Sequence, residues 1–198
     1  MQKKEKAYRT KQKLSEALIV RLREKPLSRI RVHELTDYCD LNRQTFYYHF
    51  PDIYALFSWS IPHMLDQLAL QLPRSAAWQQ QLQCLLEYAA ENRSFFLEAL
   101  DDRFYEETRA CMEERVKKYL EGGKLRESFD GEPDSEGNRP LPSTYGAAVF
   151  FSILEQWLRR EQRSDPETLI AFFEKLMKDR LVNGTLAAVG GAGDSIDG

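Results

Sequence analysis

The chain has 198 residues, of which 42% are hydrophobic and 12% aromatic, and it carries a net charge of −3. This composition is typical of a globular protein with a sizeable core and excludes an intrinsically disordered chain. No apolar run reaches the roughly 20 residues of a membrane span, and the basic, polar start lacks the apolar region of a secretory signal. The three cysteines fit neither a disulfide framework nor a metal site, so we expect a cytoplasmic protein with reduced thiols and no cofactor.

Basic residues are concentrated at the start of the chain. Residues 1–49 hold 12 Lys and Arg against 6 Asp and Glu, a charge of +6, whereas residues 50–198 hold 16 against 25, a charge of −9. Residues 1–6 are expected to form a mobile charged arm, and residues 7–24 an amphipathic helix that ends before Pro26. The charge division indicates one end that faces DNA and a solvated body that does not.

Two short helices joined by a tight turn follow. Apolar spacing predicts a helix from Val32 that ends at Asp40, because Asp tolerates the left-handed conformation found at helix ends. Asn42 is a strong N-cap for a second helix over residues 43–49. This is the pattern of a helix-turn-helix, whose second helix lies in the DNA major groove and offers its first side chains to base edges.

The run LNRQTFYYHFPDIYAL, residues 41–56, resembles the signature of TetR-family (TetR/AcrR) transcriptional regulators. Within that family, NRQTFYYHF followed by DIY resembles the subgroup that includes the dihydroxyacetone kinase regulator. The resemblance implies an all-α homodimer of about nine helices, with an N-terminal three-helix DNA-binding domain and a C-terminal helical regulatory and dimerisation domain. It covers roughly residues 8–60 well and the C-terminal half loosely.

The candidate DNA-binding residues divide by their position in the helix-turn-helix. Arg43 and Gln44, in the first turn of the second helix, are the candidates for base contacts, because Arg pairs bidentately with guanine and Gln with adenine. Phe46 and Phe50 are expected in the core. The resemblance implies that Thr45, Tyr47 and His49 contact the DNA backbone and that His33 contacts DNA from the first of the two helices. Tyr48 can reach backbone or bases, and Asn42 is a further DNA-binding candidate. For each one, an ordinary solvated or packed side chain is the alternative.

Two residues depart from the family pattern. Arg31 precedes the first of the two helices where the family usually places Ser or Thr, so that cap must be weaker or supplied by another group, and Arg31 can instead face a phosphate. Ile53 stands where the family commonly has Lys, which puts one backbone contact of relatives in doubt.

A long helix capped by Asp52 and kinked at Pro62 is predicted to connect the two domains. The family resemblance implies that a shift along it changes the separation of the two recognition helices in a dimer. Further helices are predicted over residues 78–91, 95–97 and 104–120, and the carboxylates of the last are expected on a solvated face rather than in a metal or acid–base site. Aromatic residues of this region are candidates for an effector pocket, with plain core as the alternative: Trp59, His63, Trp78, Phe96, Phe104 and Tyr145.

Residues 122–143 are rich in Gly, Pro, Asp and Glu and are predicted to form a long mobile loop. Helices over residues 144–160 and 166–181 follow, the second with Asp165 as its cap. Their surplus apolar surface indicates a four-helix interface with a second copy, and packing within one chain is the alternative. The predicted interface residues are Tyr145, Val149, Ile153, Trp157, Leu169, Phe172, Phe173 and Leu176.

The expected domains are a DNA-binding domain at residues 1–50, an effector-binding and dimerisation domain at residues 51–183 and a flexible tail at residues 184–198. The expected function is that of a transcriptional regulator that binds a near-palindromic operator in double-stranded DNA as a homodimer, under the control of a small-molecule effector or a co-regulator protein. A helical protein-interaction module without direct DNA readout is the alternative. An enzyme is disfavoured because the sequence has no nucleophile motif or phosphate loop.

Overall fold

The computed structural model describes residues 2–71, 78–122, 143–160, 165–172 and 175, and within them every regular element is a helix. The fold is therefore all-α, as predicted. The elements are α1 (Gln2–Leu22), a 3-10 turn (Leu27–Arg29), α2 (Val32–Tyr38), α3 (Arg43–His49), α4 (Ile53–Gln71), α5 (Trp78–Glu91), α6 (Arg93–Ala99), α7 (Tyr105–Gly122), α8 (Ser143–Arg159) and α9 (residues 166–172). The loop predicted over residues 122–143 falls almost entirely, and the predicted tail entirely, outside the described residues.

The first helix begins at Gln2, so the expectation of a mobile arm over residues 1–6 is wrong from that residue onward. These residues are polar, but Lys, Glu and Gln have high helix propensity. Arg9 donates to the Glu5 carboxylate at 2.8 Å one turn away, and the Thr10 hydroxyl donates to the Lys6 carbonyl at 3.0 Å. Local contacts thus extend α1 beyond the part that has a buried face.

One connected hydrophobic core joins the N-terminal helices to the C-terminal helices. Leu18 of α1, Phe46 of α3 and Phe57 of α4 are fully buried and belong to this same core. The ring of Phe57 lies 4.8 Å from that of Phe95 and 4.6 Å from that of Phe104, measured between centroids. α4 is therefore packed by both halves of the chain, which places it as the connection that the sequence predicted.

Polar contacts fasten α7 to α4 and α8. Arg115 donates to the Asp66 carboxylate at 2.7 Å and to the carbonyl of Pro62, which lies inside α4, at 3.3 Å. The Tyr105 hydroxyl donates to Glu155 of α8 at 2.9 Å, and this hydrogen bond raises the pKa of the phenol. These three helices are thereby held together by polar side-chain contacts as well as by apolar packing.

In the part of the chain that the structure describes, no helix combines the length and apolar character needed to cross a bilayer. The same residues contain no group of His, Cys, Asp and Glu side chains that could hold a metal ion. Cys39, Cys84 and Cys111 are half-buried free thiols, as predicted. Burial raises the pKa of the Cys39 and Cys111 thiols, which makes both less reactive.

Candidate nucleic-acid interface

The turn between α2 and α3 has the geometry that its sequence predicts. Asp40 adopts a positive φ of 53°, in the left-handed region. The backbone N–H of Leu41 donates to the carbonyl of Thr36 at 2.8 Å and closes the end of α2. The Asn42 side-chain oxygen accepts hydrogen bonds from the backbone N–H of Thr45 at 2.7 Å and from its hydroxyl at 2.9 Å, which caps α3. The predicted turn residue and the predicted cap are both confirmed.

The start of α2 is capped by Glu34 instead of a Ser or Thr at position 31. One carboxylate oxygen of Glu34 accepts from the backbone N–H of Arg31 at 3.2 Å, and the other accepts from Lys25 at 2.6 Å. The hydrogen bond from Lys25 holds the pKa of Glu34 below its ordinary value. The cap is thus supplied from the third residue of the helix, and the Arg31 side chain remains exposed.

Two buried aromatic residues hold α3 against α1 and α4. Phe46 and Phe50 are 0% and 4% exposed, as predicted for core residues, and their rings lie 6.0 Å apart. The opposite face of α3 points outward, with Tyr47 at 57% and Tyr48 at 74% exposure. Six of the eight predicted DNA-binding residues are exposed and two are half-buried: His33, Asn42, Arg43, Gln44, Tyr47 and Tyr48, then Thr45 and His49.

A surface groove of about 350 Å³ joins the outward face of α3 to the starts of α2 and α4. Three predicted DNA-binding residues, His33, Arg43 and Tyr47, line it together with Arg31. Guanidinium groups suit phosphate oxygens because they present several donors in one plane. The remaining lining residues are Leu27, Ser28, Ile30, Val32, Pro51, Asp52, Ile53 and Tyr54. At Ile53, where relatives commonly carry Lys, this wall offers an apolar side chain instead of a charge.

His49 lies at the end of α3, next to the buried Phe50. Its ring is half-buried and lies 4.9 Å from the ring of Tyr48. Burial, with a smaller contribution from the charge of Lys11, lowers the pKa of His49. The imidazole is therefore neutral at pH 7, so it can form a hydrogen bond with a phosphate but does not add a positive charge to the surface.

Of the six residues predicted for an effector pocket, the five whose side chains the structure describes do not lie together at one site. Trp59 and His63 of α4 stack on each other at 5.2 Å, and the hydroxyl of Tyr8 on α1 lies 3.2 Å from Nδ1 of His63. Trp59 also lies 5.9 Å from Phe50. This pair therefore faces the helix-turn-helix, not the C-terminal helices.

The other predicted pocket residues lie elsewhere. Phe96 and Phe104 are 3% and 5% exposed and are packed by Phe95 and Phe57, so the plain-core alternative applies to them. Tyr145 is 60% exposed on α8, and the Trp78 side chain falls outside the described residues. Phe57 and Trp59 are two residues apart on α4, so helical geometry directs them to different sides.

The predicted dimer interface is partly outward-facing. Tyr145, Val149 and Phe172 are 60%, 38% and 51% exposed, which is high for large apolar side chains. Ile153 and Leu169 are half-buried, and the side chains of Phe173 and Leu176 lie outside the described residues. Trp157 is only 5% exposed, because it shares the inward side of α8 with the buried Leu154 and Leu158. In this structure it belongs to the core and offers little surface to a partner.

One residue of the groove was not predicted from the sequence. Tyr54 lines the groove, and no sequence pattern had assigned this residue a role. Arg103, between α6 and α7, lies over the Tyr54 ring with the guanidinium carbon 3.8 Å from the centroid. No local pattern indicates such a contact, because the two residues are far apart in sequence.

Residues 76–179 match a family model described as the C-terminal region of transcriptional regulators, TetR_C_8. Seventeen chains of solved structures are similar. One of them is the dihydroxyacetone kinase operon activator DhaS, with a TM-score of 0.62 at 20% identity over 86% of this chain and 95% of that chain. No curated protein sequence matches. The family match and the structural match together extend over the N-terminal and C-terminal helices.

Proposed function

The chain belongs to the TetR family of transcriptional regulators, and we propose that it binds double-stranded DNA sequence-specifically as a homodimer, with α3 as its recognition helix. The family is one of regulators and not of enzymes. The observation that carries the proposal is the outward face of α3, where Arg43 and Gln44 are exposed in the first turn beside a groove lined by arginine.

Direct base readout needs side chains with fixed positions. The seven residues of α3 are too few for a stable isolated helix, so their order depends on the Asn42 cap and on the buried Phe46. With the helix so anchored, Arg43 and Gln44 can present paired donors and acceptors to guanine and adenine in the major groove. Sequence preference is accordingly assigned to these two residues.

Affinity without sequence preference is assigned to the surrounding cations. Arg31 and Arg43 line the groove, and residues 1–49 carry a charge of +6. Each phosphate neutralised by Lys or Arg releases condensed counterions, so binding constants fall steeply as salt rises. A mainly apolar protein-interaction surface would not respond in this way, which makes salt dependence the discriminating measurement.

A dimer follows from the small size of one recognition helix. Two copies related by a twofold axis would place their α3 helices about 34 Å apart, one helical turn of DNA, on a near-palindromic operator. The exposed Tyr145 and Val149 of α8 and Phe172 of α9 are the candidates for the centre of this interface.

Control by a small-molecule effector or a co-regulator protein is the last part of the proposal. It is supported by the family and by the shared packing of α4, through which a change among the C-terminal helices can reach α1–α3. A metabolite that binds the folded chain at 100 times its Kd adds about 2.7 kcal/mol of stability, which thermal denaturation detects readily.

The decisive experiment is selection of bound duplexes from a random DNA pool. The wild-type chain is expected to enrich a near-palindromic sequence, and the Arg43→Ala, Gln44→Ala double variant is expected to enrich none while it keeps its helix content and oligomeric mass. A matched control, Gln83→Ala with Arg109→Ala, removes the same residue types from exposed positions on α5 and α7. If the α3 variant still selects the wild-type sequence, the assignment of base contacts is wrong.

A further inference from the structure

The turn between α6 and α7 reaches the wall of the DNA-facing groove. The guanidinium of Arg103 lies 3.8 Å from the ring centroid of Tyr54, and the Phe104 ring stacks on the same residue at 6.5 Å with an angle of 26° between planes. Tyr54 is the second residue of α4 and lines the groove with Arg43 and Tyr47. The orientation of this ring is therefore set by side chains that lie outside α1–α4.

A second contact holds another wall of the same groove. Glu98 of α6 accepts a hydrogen bond from the backbone N–H of Leu27 at 2.9 Å, at the start of the 3-10 turn. Leu27 and Ser28 of that turn line the groove, and the Leu27 side chain is only 2% exposed. Arg23, at the end of α1, also donates to the side-chain oxygen of Asn92 at 3.3 Å, just before α6. Two walls of the groove thus depend on residues of α6 and of the segments that flank it.

The same region is tied to α8. Arg159 donates to the carbonyl of Leu100 at 2.6 Å, and Arg93 donates to the carbonyl of Leu158 at 3.0 Å. Both ends of α6 are thereby attached to the end of α8. A continuous series of polar contacts runs from α8, through α6 and the following turn, to the groove.

We propose that Glu98 and Arg103 are positioning residues for DNA binding, which act through the Leu27 backbone and the Tyr54 ring respectively. This inference rests on the proposed function and deepens it, because it places control of DNA affinity outside the helix-turn-helix. A phenol hydroxyl can donate to a phosphate oxygen, so a fixed Tyr54 ring offers a preformed backbone contact. A displaced α6–α7 turn would release both walls together and lower affinity without touching the base-reading residues.

Direct contact of Arg103 with a phosphate is the competing explanation, since this side chain is exposed. The two explanations differ in their salt dependence. Loss of a direct Arg–phosphate contact lowers the slope of log K against log salt by about one, whereas loss of a positioning contact leaves the slope unchanged. They differ also in their dependence on Tyr54, because a positioning effect disappears when the ring it positions is absent.

The test measures the affinity and salt slope for the duplex that the wild-type chain selects from a random pool. Arg103→Ala is expected to weaken binding about two- to fivefold, the size expected for an exposed cation–π contact, with an unchanged salt slope. In a Tyr54→Leu background the same substitution is expected to have no further effect. Arg103→Lys keeps the charge but loses the planar guanidinium, so it should weaken binding also. Arg109→Ala, which removes an exposed arginine of α7, is the matched control and should bind as wild type.

Three results would overturn the inference: unchanged affinity in Arg103→Ala, an equal loss with and without Tyr54, or a salt slope reduced by about one. Glu98→Gln retains the side-chain size and a neutral acceptor, so it tests the second wall if larger changes impair folding. Suppose that the wild-type chain selects DNA and loses that selection in the Arg43→Ala, Gln44→Ala variant, while Arg103→Ala binds with wild-type affinity. In that case only this inference fails. If the wild-type chain selects no DNA, the proposed function fails with it.

Discussion

Asn42 caps α3 and also lies on the surface proposed to face DNA, and substitutions at this position separate the two roles. Its side-chain oxygen accepts two hydrogen bonds from Thr45, at 2.7 and 2.9 Å, in the first turn of a seven-residue helix. Loss of such a cap costs about 1 kcal/mol, which corresponds to a fall of about 2–4 °C in Tm for a chain of this size. Asn42→Ala is therefore expected to lower Tm by that amount. It should also weaken operator binding, because the frayed turn carries Arg43 and Gln44.

Asn42→Asp is expected to move stability and affinity in opposite directions. Asp is as good a cap as Asn, and its charge interacts favourably with a helix N-terminus by about 0.3–1 kcal/mol, so Tm should hold or rise. The new charge would face the DNA phosphates, and repulsion of about 1–2 kcal/mol should weaken binding roughly five- to thirtyfold at low salt. Thermal denaturation followed by circular dichroism gives the first quantity, and fluorescence anisotropy with a labelled operator gives the second.

Asp165 provides the matched control for this pair of variants. Its carboxylate accepts from the backbone N–H of Thr168 at 2.7 Å and from the Thr168 hydroxyl at 3.2 Å, which is nearly the geometry of the Asn42 cap, but on α9. Asp165→Ala should lose a similar amount of stability and leave operator affinity unchanged. Wild-type operator affinity in Asn42→Asp, or wild-type Tm in Asn42→Ala, would refute these roles of Asn42.

Three further predictions test the turn, the α2 cap and the dimer. Asp40→Gly should keep stability or raise it by up to about 1 kcal/mol, whereas Asp40→Val should lower it by about 1–2 kcal/mol, because a β-branched residue does not tolerate the positive φ. Equal urea midpoints for the two variants would contradict this. Glu34→Gln should lower the free energy of unfolding by about 1 kcal/mol at pH 7. Because the folded-state pKa of Glu34 is lowered, the difference in stability between variant and wild type should vanish as pH falls through and below about 4.5, which urea unfolding at a series of pH values measures. Val149→Glu should convert a dimer into single chains at unchanged helix content, and a wild-type mass of one chain by light scattering would exclude the dimer.

The parts of the structure predicted correctly are those specified by neighbouring residues. Asp40 and Asn42 act on groups within a few positions of themselves, so the chemistry of each side chain was enough to predict the turn and the cap. The same holds for Asp52, whose carboxylate accepts from the Ala55 N–H at 2.7 Å and starts α4 as expected. The limits of α3 were predicted correctly for this reason, while its contacts with DNA remain predictions.

The errors concern contacts between residues distant in sequence. Phe104 and Trp59 both have helical spacing with apolar neighbours, and that spacing alone does not tell which helix will cover each ring. Trp157 illustrates the same limit, since its position in an apolar stripe fits an outer interface as well as the inner core that it occupies. The contact of Arg103 with Tyr54 joins two exposed residues and leaves no trace in hydrophobic periodicity.

The shared packing of α4 limits how the molecule can be divided for engineering. Trp59 lies 5.9 Å from Phe50 and 5.9 Å from Tyr8, so residues beyond position 50 complete the hydrophobic base under the first three helices. A hybrid regulator that joins residues 1–50 to a foreign sensor would leave this base uncovered and would aggregate or unfold. A junction placed after His63 keeps Trp59 and His63, which both contact Tyr8 of α1, together with the recognition helix α3. The acceptor then needs to supply only a partner for the remaining turns of α4.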